Sequence, residues 1–240
     1  MAVSKKLLFQ ILVILLFCIG CVIKPNSVVK NEYGLQVFTK FSTLKYSAKL
    51  DSTKQMVALK KYITPIVFDW KYATTENFTN QILYIEPDAY MRIEPAQALQ
   101  KIALELKEQQ LGLKIFDAYR PYSVTKKMWQ VVPDERYAAN PAKGSGHNRG
   151  AAIDLTLIDL KTGNELLMPT PYDDLTEKAH HNYMLIDSMA IVNRKKLKEI
   201  MVKHGFVPLD TEWWHYYLPN AAQRFEILDI GFNKMKRLQK

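Results

Sequence analysis

The sequence is poor in cysteine: of 240 residues only Cys18 and Cys21 carry a thiol, and both lie near the N-terminus. That excludes a disulfide framework for the body of the chain, and a four-cysteine zinc site with it. The fold must rest on its apolar core, for which 48% hydrophobic residues are ample. Internal repeats and low-complexity stretches are absent, and 24% charged with 11% aromatic residues is an ordinary globular composition, not a disordered one. Acidic residues are the scarcer charge, 24 Asp and Glu against 33 Lys and Arg, for a net charge of +9. A basic balance alone fits nucleic acid, an anionic membrane or simple solubility. The charges are scattered, however, and the clusters at Lys195–Lys198 and Lys234–Lys240 lack interleaved stacking aromatics. No nucleic-acid partner is expected.

Long hydrophobic runs are missing except at the N-terminus. Lys5 and Lys6 precede an apolar run, Leu7–Ile19, broken only by Gln10. As a helix it is about 20 Å long, short of the ~30 Å hydrocarbon core, so it reads as a signal-peptide segment rather than a span. It ends in Cys18-Ile19-Gly20-Cys21, which resembles a bacterial lipobox, although Cys18 stands where Leu is usual. The resemblance implies cleavage before Cys21, lipidation of that cysteine and a membrane-anchored lipoprotein of the cell envelope. An ordinary signal peptide or an uncleaved anchor is the alternative. The expected organisation is residues 1–20 as signal peptide, 21–40 as lipidated N-terminus and tether, and 41–240 as one domain.

Along that domain, Ile63–Trp70 and Gln81–Ile85 read as strands. Glu94-Pro95 opens a helix carrying Leu99, Ile102, Ala103 and Leu106 at helical spacing, with Gly112 as its stop. Leu113–Ala118 reads as a strand, and Ser123 caps a helix through Gln130. Ala151–Leu160 follows as a strand turning at Thr162-Gly163 toward Glu165–Met168. Asn193 caps a helix closed by Gly205, and Phe206–Leu209 and Trp213–Leu218 are the last strands. Helices and strands do not strictly alternate. The expected fold is α+β, a single domain with a mainly antiparallel sheet flanked by helices.

Five histidines bear on chemistry. His204 ends a helix, where a cation suits the dipole. His180 and His181 read as part of a surface helix. His147 sits among glycines, in Gly144-Ser145-Gly146-His147-Asn148-Arg149-Gly150, which lets the backbone turn sharply. Asp154 follows inside an apolar strand, where a carboxylate is costly unless paired or metal-bound. His215 closes Glu212-Trp213-Trp214-His215. Two imidazoles and a carboxylate suit zinc and leave a fourth position for water. A carboxylate shielded by tryptophans, Glu212, has the environment of a general base. The alternative is a histidine in a turn beside unrelated polar residues.

Ser145-x-His147-x-x-Gly150-x-Ala152-x-Asp154 followed by Glu212-x-Trp214-His215 resembles the zinc D-Ala-D-Ala peptidases. Asn77-Phe78-Thr79, Leu83-Tyr84, Asp117-Ala118-Tyr119-Arg120-Pro121, Met128-Trp129, Met168-Pro169-Thr170 and Tyr172-Asp173 are similar to the VanX-type D-alanyl-D-alanine dipeptidases. The resemblance spans roughly residues 60–218; Asn80 departs from it, standing where glycine is expected. It implies one Zn²⁺ held by His147, Asp154 and His215, with Glu212 as the base that takes the proton of the attacking water. It also implies Arg120 stabilising the oxyanion, Asp173 near the substrate ammonium and Ser145 offering a hydrogen bond. Asp174 competes for the ammonium role. The implied reaction is hydrolysis of D-Ala-D-Ala or a related peptidoglycan fragment. A D,D-carboxypeptidase acting on stem peptides and a non-catalytic, zinc-containing wall-binding lipoprotein are the rival readings.

Overall fold

A computed structural model describes residues 30–239. The expected signal segment, Cys18 and Cys21 lie outside the described residues. Its central feature is a five-stranded sheet built from β3 (Val67–Phe68), β5 (Leu111–Asp117), β6 (Ala152–Asp159), β7 (Val207–Leu209) and β8 (Glu212–Tyr217). The strand order is β3-β5-β6-β8-β7, parallel between β3 and β5 and antiparallel at the other junctions. Two small sheets pair β1 (Val37–Phe38) with β9 (Ile227–Leu228) and β2 (Met56–Ala58) with β4 (Tyr90–Arg92).

The helices are α1 (Phe41–Leu50), α2 (Ile93–Glu108), α3 (Tyr122–Val131), α4 (Ser188–Lys203) and the short α5 (Ala221–Arg224) and α6 (Phe232–Met235). Leu99, Ile102 and Leu106 of α2 and Leu197, Ile200 and Met201 of α4 share one core with Ile153, Leu155 and Leu157 of β6. Because side chains alternate along a strand, Asp154 points to the opposite face. There a second core, including Tyr72, Tyr84, Tyr119 and Met128, builds the floor beside the site. The result is a mixed α/β single domain.

Several boundaries differ from the sequence reading. Strand pairing in Ile63–Trp70 is confined to Val67–Phe68, and Gln81–Ile85 forms no strand, because the Leu83 and Tyr84 amides both donate to the Tyr72 carbonyl. Gly112 is a strand residue; α2 ends earlier, and Gln110 turns the chain with φ of 58°. Ser123 does not cap α3 but donates to Asp229 at 2.7 Å. Asp187 caps α4, its carboxylate accepting from the Met189 amide. Asn193 is buried inside that helix and donates to the Leu167 carbonyl. The stretch from Lys30, expected to be tether, is packed: Lys30 bridges Gln36, β1 joins β9, and Phe38 is buried. Among the described residues, no helix is long and apolar enough to cross a membrane.

Candidate metal and active site

Three neighbouring strands place the polar residues in one row. Asp117 of β5 pairs with Asp154 of β6, and Asp154 pairs with His215 of β8. The third imidazole-or-carboxylate group, His147, comes from a single 3-10 turn, His147–Arg149, just before β6. That turn needs Gly150, which has φ of +68°; a Cβ there would also lie 2.6 Å from the Met56 sulfur. Arg149 locks the turn from behind. Its carbonyl accepts from Arg92 at 2.8 Å, and its guanidinium reaches the Phe225 carbonyl at 2.5 Å.

His147 Nε2, Asp154 Oδ1 and His215 Nδ1 form a tight triangle with edges of 3.2, 3.4 and 2.8 Å. Tetrahedral ligands about 2.0–2.1 Å from a zinc ion lie roughly 3.3 Å from each other, so the triangle has the size such an ion requires. The tautomer fits as well. His147 Nδ1 donates to the Ala118 carbonyl at 2.7 Å, which leaves the Nε2 lone pair facing the triangle. Burial opposes ionisation of Asp154, yet His147 and His215 hold its carboxyl well below the usual range. The donor set of two imidazole nitrogens and one carboxylate therefore fits a divalent ion of borderline softness.

Glu212 opens β8 and lies with Oε2 3.9 Å from His215 Nδ1. Burial, reinforced by Asp154, pushes its carboxyl up to about 8. Its proton affinity is thus near neutrality, as a general base requires.

Arg120 follows β5. Burial works most strongly against its charge, but Asp117 together with Tyr72, Tyr84 and Tyr172 outweighs it and raises the guanidinium further. Asp117 Oδ2 accepts from Arg120 Nε at 2.8 Å and lies 2.7 Å from Nη2. The other oxygen of Asp117 accepts from the Tyr84 hydroxyl at 2.8 Å and the Ala118 amide at 2.9 Å. Asn148 ties the two segments together, donating to the Arg120 carbonyl at 2.9 Å and to Thr125 Oγ1 at 2.8 Å. Ser145 lies in the same turn, its Oγ accepting from the Asn148 amide at 3.1 Å.

Asp173 adopts a left-handed backbone, with φ of 62°. Its Oδ1 accepts from the Tyr72 hydroxyl at 3.0 Å, and its Oδ2 is buried without a partner. Burial, with Asp154 and Glu212 nearby, raises its carboxyl well above the usual range. A cationic ligand would satisfy both the orphan oxygen and the excess negative potential. Asp174 turns away and accepts from the Thr176 amide. Arg120, Ser145, His147, Asp154, Asp173, Glu212 and His215 all line one cavity of about 160 Å³.

Apart from Asp174, every residue singled out in the described chain for metal, base, oxyanion and substrate contacts therefore meets at one cavity. Sequence reasoning assigned no role to Tyr72, Tyr84, Asp117, Asn148 or Tyr172. The available signal was the buried hydroxyl, which needs a partner. His181, expected on a surface helix, instead follows a 3-10 turn with both ring nitrogens buried and unpartnered. His204 ends α4 and contacts Glu105 at 3.1 Å. Asn80, at the expected glycine position, has the left-handed φ of 54° that glycine favours.

Comparison with known proteins matches residues 52–234 to a family model, Peptidase_M15, described as D-ala-D-ala dipeptidase. The D-alanyl-D-alanine dipeptidase of Escherichia coli (strain K12) is 35% identical over 173 residues, covering 72% of this chain and 89% of the relative. That of Enterococcus faecium is 34% identical over 198 residues, covering 70% and 96%. That of Enterococcus faecalis (strain ATCC 700802 / V583) is 32% identical over 185 residues, covering 67% and 89%.

Proposed function

The chain belongs to the Peptidase_M15 family of D-Ala-D-Ala dipeptidases, and from that premise we propose that it hydrolyses free D-Ala-D-Ala to two D-alanines, with one zinc ion held by His147, Asp154 and His215. The observation that carries this reading is the metal-sized triangle of His147, Asp154 and His215 with Glu212 beside it and Arg120 locked on the same wall. Zinc in such a site supplies Lewis acidity, bringing the pKa of water toward about 7.

The chain's own groups do the rest. Glu212 takes a proton from the attacking water as its oxygen bonds the peptide carbon, and hands that proton to the leaving amine as the C–N bond breaks. Arg120 faces the oxygen on which negative charge develops, held there by Asp117 so that no reorganisation is needed. Asp173 receives the substrate ammonium, and Ser145 donates a hydrogen bond within the same cavity. A volume of about 160 Å³ is well below that of pockets for larger ligands, which supports a free dipeptide over an extended stem peptide. The presence of both Glu212 and Arg120 at the triangle supports catalysis over mere wall binding.

The N-terminal pattern supports secretion, lipidation at Cys21 and action in the cell envelope on wall-derived peptides. Zinc-loaded protein assayed on D-Ala-D-Ala beside a stem pentapeptide tests the activity. D-alanine release from the dipeptide, lost in Glu212→Gln, is expected; preferential trimming of the pentapeptide would replace the reading by a D,D-carboxypeptidase. Labelled lipid on wild type and on Cys21→Ser tests the anchor.

A further inference from the structure

One phenol backs the metal triangle, and a second backs the substrate acid. The Tyr172 hydroxyl donates toward Asp154 Oδ2 at 3.0 Å and lies 3.1 Å from the Tyr72 hydroxyl, which donates to Asp173 Oδ1 at 3.0 Å. Asp154 Oδ1 is the oxygen turned to both histidines, 3.4 Å from His147 and 2.8 Å from His215. Oδ2 is left over, and the charged group nearest it is Arg120, at 3.7 Å. Tyr172 carries one hydrogen for two acceptors, and the carboxylate, being charged, is the stronger. The ring cannot swing: it stacks on Phe116 at 4.5 Å and meets Trp214 edge-on at 5.5 Å.

We infer that Tyr172 is a positioning residue that fixes the orientation of Asp154. Its hydroxyl holds Asp154 with Oδ1 presented to the metal and Oδ2 turned away. With its single hydrogen on Asp154, Tyr172 has none for Tyr72, whose own hydrogen goes to Asp173; Tyr72 is therefore a control that leaves Asp154 in place. The hold on Asp154 does not depend on the proposed dipeptidase reading.

The test compares Tyr172→Phe with Tyr72→Phe, each of which keeps its ring. Zinc affinity is read by competition with a chromophoric chelator in the absence of substrate, alongside metal-free thermal unfolding and kcat and KM for D-Ala-D-Ala. Tyr172→Phe is expected to lose about 10-fold or more in zinc affinity, the usual effect of removing a group that orients a ligand, with an unchanged metal-free Tm. Tyr72→Phe is expected to keep its zinc affinity, because the bond to Asp154 survives. Wild-type zinc affinity in Tyr172→Phe overturns the proposal, as does equal loss in both variants or a loss matched by a fall in Tm. If wild-type enzyme leaves the dipeptide intact, the functional reading fails while the zinc measurement still decides the role of Tyr172.

Discussion

Asp154 and His215 stand directly opposite each other across β6 and β8, with Oδ1 and Nδ1 2.8 Å apart. Two of the three groups of the candidate metal site are thus set by strand register rather than by loops. A one-residue slip of β8 against β6 would turn His215 to the helix-covered face and leave Asp154 behind. Only His147 depends on a turn. The site therefore has a rigid part and one adjustable part, and the consequences differ for each.

Replacing Glu212 by Gln keeps the shape of the side chain and removes its basicity. Turnover of D-Ala-D-Ala should fall by about 10²–10⁴-fold, the usual contribution of a positioned base, while bound zinc measured by atomic absorption stays at the wild-type level. Activity within a few-fold of wild type would exclude Glu212 as the base.

Arg120→Ala should lower kcat by about 10²–10³-fold, as for loss of one oxyanion donor. Arg120→Lys should recover little, because a lysine cannot reproduce the paired Nε and Nη2 contacts to Asp117. Steady-state kinetics of the two variants side by side decide this.

The His147 turn should be intolerant of any side chain at position 150. Gly150→Ala meets both a left-handed φ and the Met56 sulfur at 2.6 Å. A loss of about 1–3 kcal/mol in urea unfolding is expected, with weakened zinc binding because His147 shares the turn. Gly163 also has a positive φ but nothing near its Cβ position, so Gly163→Ala is the milder control.

Stability should fall as the solution is acidified through the range where His181 titrates. Burial, with Lys198 and Arg194 nearby, lowers its folded pKa from 6.5 to about 3. Between those values the unfolded chain binds the proton and the folded chain does not, so unfolding becomes easier as pH drops. The slope from this group is at most about 1.4 kcal/mol per pH unit. Urea titrations of wild type and His181→Gln between pH 7 and pH 4.5 should show a shallower loss in the variant; parallel curves would exclude the effect.

The residues of the candidate metal site are legible partly because their types suit their setting badly unless something binds them, and chiefly because their two ordered motifs resemble a known family. Asp154 interrupts an apolar strand, and glycines crowd His147. The helix around Leu99 and Leu106 was legible from its spacing. What lay hidden depends on where a hydroxyl or amide points. Asn193 reads as a helix cap from its type, but it sits mid-helix bonding to the Leu167 carbonyl. Tyr84 and Tyr72 are buried in the second core and Tyr172 packs against it half-buried; that their hydroxyls reach Asp117, Asp173 and Asp154 is a property of three dimensions.

The pairing of β1 with β9 bears on reach. Among the described residues, Lys30 bridges Gln36 immediately ahead of β1. From Cys21 to that point the chain spans, even fully stretched, only about 30 Å. A lipid attached at Cys21, as proposed, would hold the catalytic cavity in a thin layer beside the bilayer, where it meets peptides released near the membrane before those farther out in the wall.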